Sequence, residues 1–242
     1  MDMTNRRPRF LMEIICFCIF IFVTAFSINQ EDNVLTAAEK KAGWRLLFDG
    51  KTTDGWRTYK NRAGSWEVKN GELFCPLGAK DYADLVTTSQ FDNFELTLDW
   101  KIEKGSNSGI MYHVLETHDV PYATGPEYQL VDDNGYEGKL ENWQKSGADY
   151  AMHAPLKLAA KPTGQYNHTK ILFDKAHVEH WLNGEKIADF TAWSPEWEQL
   201  RSKSKWKDFP DYGKSKTGLI AFQGDHKGGI WFKNIKIKVL GK

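Results

Sequence analysis

Four short stretches of this 242-residue chain carry side chains able to exchange protons or to bind hydroxyl groups. Gly105-Ser106-Asn107-Ser108-Gly109-Ile110-Met111-Tyr112-His113 leads small polar residues into a strand, where period-two geometry puts Met111 and His113 on one face and Ile110 and Tyr112 on the other. A turn of small residues lets a ligand approach the backbone closely; the plainer reading is a tight turn and a surface histidine. In Pro126-Glu127-Tyr128-Gln129-Leu130-Val131-Asp132-Asp133, Glu127 and Gln129 share a strand face, which suits hydroxyl recognition or simply a solvated surface. Trp143, Tyr150 and His153 lie in a polar, aromatic loop, where a ring can stack on a sugar face while phenol and imidazole bond its oxygens; loop aromatics also pack locally. Ala221-Phe222-Gln223-Gly224-Asp225-His226 precedes the last strand, and a bulge at Gly224 would aim Gln223, Asp225 and His226 inward. Imidazole is the side chain best suited to proton exchange near neutral pH. His177 and His180 have weaker claims, because alternation along a hairpin already accounts for them.

Other chemistries leave no trace. There is no phosphate-cradling glycine motif, no Gly-x-Ser-x-Gly elbow and no His-Glu-x-x-His zinc helix. Glu127 and Asp132 are candidates for a pair of catalytic acids, but the separation that such a pair requires is not a property of sequence.

The elements that must position these residues are short and mostly extended. Trp66 to Lys69 and Leu73 to Cys75 flank Asn70-Gly71, and Val178 to Leu182 and Lys186 to Phe190 flank Asn183-Gly184. Each Asn-Gly can take the positive φ values of a type I′ turn, so both predict hairpins. Phe94 to Ile102 alternates apolar and polar residues, as a strand does with one face in a core. Ile110 to Leu115, Tyr128 to Val131, Ile171 to Phe173, Leu219 to Gln223 and Ile230 to Val239 add further strands. One helix is expected where Ser194 can cap, Pro195 suits the first position and Glu196, Glu198, Leu200 and Arg201 follow, before the basic run Lys203 to Lys207. Many short strands with one or two short helices predict an all-β fold, two sheets packed as a jelly roll or related sandwich, whose curved sheet commonly offers a groove.

Lys plus Arg and Asp plus Glu balance at 32 each, so no basic field exists to gather nucleic acid. Arg6, Arg7 and Arg9 precede an apolar run from Phe10 to Phe26, broken by Glu13 and Thr24, with small residues at Ala25 and Ser27. That layout predicts a secretion signal over residues 1–27, a linker or one turn of helix over 28–42 and one domain over 43–242, with no membrane span in the mature protein. Cys16 and Cys18 fall in the signal, leaving Cys75 alone, so neither a disulfide framework nor a cysteine zinc site is available.

Taken in order, Leu47-Phe48-Asp49-Gly50-Lys51-Thr52-Thr53-Asp54-Gly55-Trp56, Ser106-Asn107-Ser108-Gly109-Ile110, Pro126-Glu127-Tyr128-Gln129-Leu130, Val178-Glu179-His180-Trp181-Leu182-Asn183-Gly184 and Gln223-Gly224-Asp225-His226 resemble the 3-keto-disaccharide hydrolase domain family. The resemblance continues through Ser194-Pro195-Glu196-Trp197, Pro210 to Gly213 and Phe232-Lys233-Asn234-Ile235. It implies a concanavalin A-like jelly roll, export to the periplasm or cell surface, and cleavage of small carbohydrate substrates that a partner oxidoreductase has first oxidised at C3. A C3 ketone acidifies the C2 proton, so a base can form an enolate that expels the C1 substituent. For these roles His113 or His226 are the expected proton-transfer groups, Glu127 the base or a metal ligand, and Asn107, Gln129, Tyr150 and Gln223 the hydroxyl binders; His153, Trp143 and Asp225 are further candidates. A divalent cation could stabilise the enolate, although no spacing marks its site. Ala151-Met152-His153 departs from the family's pattern after Tyr150. Two other functions fit the same residues: a non-catalytic carbohydrate-binding module, or an ordinary glycosidase with two opposed carboxylates.

Overall fold

The computed structural model describes residues 31–242 except Ala79, Asp225, Lys227, Gly228 and Lys242. The expected signal segment and the candidate Asp225 therefore lie outside the described residues, among which no helix is long and apolar enough to cross a membrane. The strands are β1 (Trp44–Leu46), β2 (Trp56–Thr58), β3 (Glu67–Lys69), β4 (Glu72–Cys75), β5 (Leu85–Thr87), β6 (Phe94–Ile102), β7 (Asn107–Val114), β8 (Glu127–Val131), β9 (Asn167–Asp174), β10 (His177–Leu182), β11 (Glu185–Thr191), β12 (Leu219–Phe222) and β13 (Ile230–Val239). Two short α-helices, α1 (Ala37–Lys41) and α2 (Pro195–Lys203), accompany them.

All pairings are antiparallel and fall into two sheets. The larger runs β11-β10-β9-β6-β13-β4-β3, with β1 sharing the β13 edge beside β4; the smaller runs β2-β5-β12-β7-β8. Alternation in β6 buries Phe94, Leu96, Leu98, Trp100 and Ile102 against Ile110, Tyr112, Tyr128, Leu130 and Phe222 of the smaller sheet, which is the sandwich expected from sequence. Each large apolar side chain removed from water there contributes about 1.5–3 kcal/mol before entropy is charged against it.

The turns follow the predicted chemistry. Asn70 and Gly71 sit at φ 54° and 80°, and Asn183 and Gly184 at 52° and 85°. The β9–β10 hairpin adopts the same left-handed turn with Lys175 and Ala176, at φ 49° and 78°, where neither residue favours it. Ser194 caps α2 by accepting the Trp197 N–H at 3.1 Å. The segment before the first strand packs on the large sheet: Asn33 and Asn234 exchange backbone-to-amide bonds of 2.6 and 2.8 Å, and Glu39, which closes a capping box with Thr36, pairs with Lys236 at 2.7 Å.

One expectation about faces fails. Val114 pairs with Leu219 and Met111 with Ala221, so β7 carries two residues, Tyr112 and His113, opposite the single Ile220. This bulge, with His113 at φ 55°, turns the imidazole to the core side, 4.4 Å from the Phe173 ring, while Val114 resumes the face of Met111. His113 is 2 % exposed and its Nε2 is held at 2.8 Å by the carbonyl of Asp92. Burial pushes its pKa down to about 4, and does the same to the fully buried His180.

Both imidazoles are neutral in the folded protein and titrate near 6.5 when it unfolds. As pH falls below that value the unfolded chain takes up protons that the folded one refuses, so stability drops until pH approaches 4, by up to about 1.4 kcal/mol per pH unit for each histidine. Urea midpoints from pH 7 to pH 4 are expected to show this loss, and His113→Gln to remove about half of the slope. An unchanged slope would contradict the burial account.

Candidate functional site

The smaller sheet has one face in the main core; on its other face polar groups sit beside a second buried apolar cluster of Tyr59, Val86, Met111, Val114, Leu219 and Ala221. On that second face the register lines up Glu127, Met111, Ala221 and Val86 in one row across β8, β7, β12 and β5. The next row holds Gln129, Gly109 and Gln223, closed by the Gln223 N–H donating to the Gly109 carbonyl at 2.9 Å. Asn107 follows on the same face, two residues before Gly109. Three of the sequence clusters therefore meet on one surface.

Glu127 lies down over Gly109. A Cβ built on Gly109 would stand 2.1 Å from Glu127 Oε1 and 2.9 Å from its Cδ, so the carboxylate occupies the volume that any other residue would fill. Glu127 is only 4 % exposed. Gln129 lies between Glu127 and Asn107: its amide is 3.1 Å from Asn107 Oδ1, and the orientation that satisfies both ends puts its NH₂ 3.2 Å from Glu127 Oε1 and 3.2 Å from the Ser108 carbonyl. Gln223 is buried, and its Oε1 accepts no hydrogen bond among the described residues, which leaves an acceptor for a ligand hydroxyl.

The loop after β8 folds back along that strand. The Tyr150 N–H donates to the Glu127 carbonyl at 3.0 Å, and the Tyr150 carbonyl accepts from Trp206 Nε1 at 2.8 Å. Burial, with Glu127 nearby, raises the Tyr150 phenol, which remains a donor at neutral pH. Lys205 joins this group, although the sequence offered it only as one of several basic residues after a helix. Its ammonium stands 4.2 Å from the centroids of Tyr150 and Trp206 and 5.7 Å from that of Tyr122. The residue as a whole is exposed, but the packing around its head lowers its pKa, against the opposing pull of Glu127. Trp143, partly exposed, meets Tyr150 edge-on at 5.3 Å and lines a cleft of about 380 Å³ with Ala151, Leu200, Lys203, Ser204 and Lys205.

Two of the candidate histidines lie apart from this face. His113 is turned into the core by the bulge. His153 is drawn the other way by the buried Asp149, whose Oδ2 is 2.9 Å from Nδ1, and stacks on Phe190 at 4.4 Å beside a separate cleft that runs to Trp197. His226 is exposed after Gln223 and Gly224. Asp132 holds two turns, accepting from Gly105 at 2.9 Å and Gly135 at 2.9 Å, and Asp84 accepts from Gly224 at 2.8 Å. Among the described residues one trio of ligand-type groups stands within reach of a single cation, His177, Glu179 and Asp189 on the β10–β11 hairpin of the larger sheet, where Lys186 already bonds both carboxylates. Among the described groups on this face, the Glu127 carboxylate and the oxygens of Asn107, Gln129 and Gln223 are ligand types for a hard divalent cation, while the Lys205 ammonium is not.

A family model, the 3-keto-alpha-glucoside-1,2-lyase-like domain, matches residues 43–238. A 3-keto-disaccharide hydrolase of Bacteroides thetaiotaomicron is 36 % identical over 229 residues, covering 82 % of this chain and 79 % of the relative. The crystal structure of a candidate glycosyl hydrolase from Parabacteroides distasonis matches with a TM-score of 0.81 at 41 % identity, over 87 % of this chain and all of the other. A second from the same organism matches at 0.65 and 29 % identity, over 81 % and 99 % of the two chains.

If Glu127 and Lys205 face the same space, removing the carboxylate charge must lower the Lys205 pKa further. Glu127→Gln is expected to move the Lys205 Nζ titration, followed by NMR, to lower pH; no movement, or movement upward, would separate the two groups.

Proposed function

Because this chain belongs to the 3-keto-alpha-glucoside-1,2-lyase-like family, we propose that it is a glycoside-cleaving enzyme acting on sugars already oxidised to a ketone at C3. The observation that carries this reading is the Glu127 carboxylate seated over Gly109 beside the Gln129 amide. One base close to electrophilic groups suits proton abstraction next to a ketone. An ordinary glycosidase needs a second carboxylate opposed to the first, and among the described residues Asp84 and Asp132 each accept from backbone N–H groups.

In the proposed reaction Glu127 takes the C2 proton, and the C2–H electron pair forms the C2=C3 double bond as negative charge collects on the C3 oxygen. The Lys205 ammonium and the Asn107 amide N–H stabilise that enolate, while Gln129, whose N–H groups go to Glu127 and the Ser108 carbonyl, holds the base in place; fixed donors in a partly dry site act more strongly than water. The enolate then re-forms the ketone as the C2=C3 electron pair moves to make a C1=C2 double bond, the C1–O bond breaks, and the departing oxygen takes a proton, with the Tyr150 phenol or Lys205 as donor. Water then adds across C1=C2, its oxygen bonding C1 as its proton restores the Tyr150 or Lys205 donor and Glu127 returns its proton to C2, which completes hydrolysis; release before that step makes the enzyme a lyase. Gln223 receives a sugar hydroxyl.

This chemistry requires an oxidoreductase upstream that converts the C3 hydroxyl to a ketone. Export to the periplasm or cell surface belongs to the same proposal and rests on residues 1–27.

The test is turnover of a 3-keto-glucoside beside the unoxidised glucoside. The keto sugar alone is expected to be cleaved, and Glu127→Gln to reduce kcat by about 10²–10⁴-fold. Binding of either sugar without product would favour a carbohydrate-binding module instead.

Gly109→Ala is expected to cost about 10²-fold in turnover, because its methyl group displaces the carboxylate by an ångström or more. The protein should remain folded by circular dichroism. Full activity in this variant would remove Glu127 from its seat over Gly109.

A further inference from the structure

A second cleft, of about 370 Å³, opens at the far end of β7, lined by Asp92, Asn93, Phe173, Lys175, Ala176, Trp193 and Lys216. That volume lies within the range of small-molecule sites, about 300–1,000 Å³. None of its lining residues belongs to the Glu127 face. Trp193 and Phe173 supply an aromatic wall, their ring centroids 5.5 Å apart, and the buried His113 lies parallel to Trp193 behind it at 6.5 Å. Trp193 is further held by donating its indole N–H to the Gly213 carbonyl.

Two exposed lysines border the wall. Lys216 stands 5.3 Å from the Trp193 ring, and Lys175 occupies the tip of the β9–β10 hairpin. No carboxylate pairs with either ammonium among the described residues. Asp92, the one acid of the lining, turns a carboxylate oxygen to the Asn93 N–H at 2.7 Å. The local charge is therefore net positive, with the Lys216 ammonium over the Trp193 ring, where it would move aside for a stacked ligand.

The backbone here is also held in costly conformations. Lys175, Ala176 and Trp193 all have positive φ (49°, 78° and 61°), as does His113 beneath them. The other two tight hairpins use Asn-Gly for the same turn geometry; this one places a lysine and an alanine there, with the Lys175 N–H donating to Asn93 Oδ1 at 2.8 Å. Strain of this kind gathers where side chains serve a ligand, and what the unfavourable turn residue adds is a cation at the rim of the cleft.

We propose that this cleft is a second ligand site, taking an anionic sugar ring whose face stacks on Trp193 and whose carboxylate or sulfate group lies between Lys175 and Lys216. It would hold the protein on an acidic glycan while the Glu127 face works on another molecule.

Titration of the full chain with glucuronate, glucose 6-sulfate and glucose, followed by tryptophan fluorescence and calorimetry, tests it. The anionic sugars are expected to bind about tenfold more tightly than glucose, with the advantage reduced by salt; binding of only one anion also supports the site and identifies its ligand. Lys216→Ala should abolish the charge preference, and Trp193→Ala should weaken all binding. The double change Lys175→Asn with Ala176→Gly restores a favoured turn, so it should raise Tm while losing the preference. Glu127→Gln should leave it intact. Equal binding of charged and neutral sugars, no binding at all, or a preference that survives the lysine substitutions would overturn the proposal, whatever the outcome for 3-keto-glucoside turnover.

Discussion

Two antiparallel sheets packed face to face spend one side of every central strand on the interior. In β7, β8 and β12 that side is Ile110, Tyr112, Tyr128, Leu130, Ile220 and Phe222, all at 0–1 % exposure. Period-two alternation then delivers Asn107, Gly109, Glu127, Gln129 and Gln223 to the opposite side together. The packing of the interior thus sets the register of the polar face, since a one-residue slip would exchange the two. The candidate site is an outcome of core packing before it is anything else.

Within that face a missing side chain matters as much as any that is present. An acid at 4 % exposure needs a defined seat, and the open volume above Gly109 supplies it. Gln129 then donates to that carboxylate, and the Tyr150 N–H holds the backbone carbonyl of the same residue. The same residues explain why a single base, rather than two opposed acids, fits the described surface: its nearest neighbours are suited to holding charge on an oxygen.

Left-handed backbone at non-glycine residues marks where the fold departs from regularity. Asn70 and Asn183 take it at little cost in ordinary hairpins. At His113 it creates the bulge that buries an imidazole, and at Lys175, Ala176 and Trp193 it shapes a cleft with an aromatic wall. These positions lie at one end of the sandwich, away from Glu127, so the molecule offers two separate surfaces where local regularity has given way to shape.

Much was legible from residue order alone. The Asn-Gly turns, the alternation of Phe94 to Ile102, the Ser194-Pro195 helix start and the pairing of Glu127 with Gln129 all depend on neighbours within a few residues, where chain geometry has few alternatives. The ordered motifs carried the family for the same reason. Three results needed the tertiary structure. His113 left its expected face because a bulge depends on how β12 pairs with β7, a contact between residues about a hundred positions apart. His153 went to Asp149 and Phe190, and Lys205 came to Tyr150 and Trp206, because loops are placed by what they pack on and not by their own pattern. Sequence determined which side chains were available and which strand faces they could share; only long-range packing decided which of them meet.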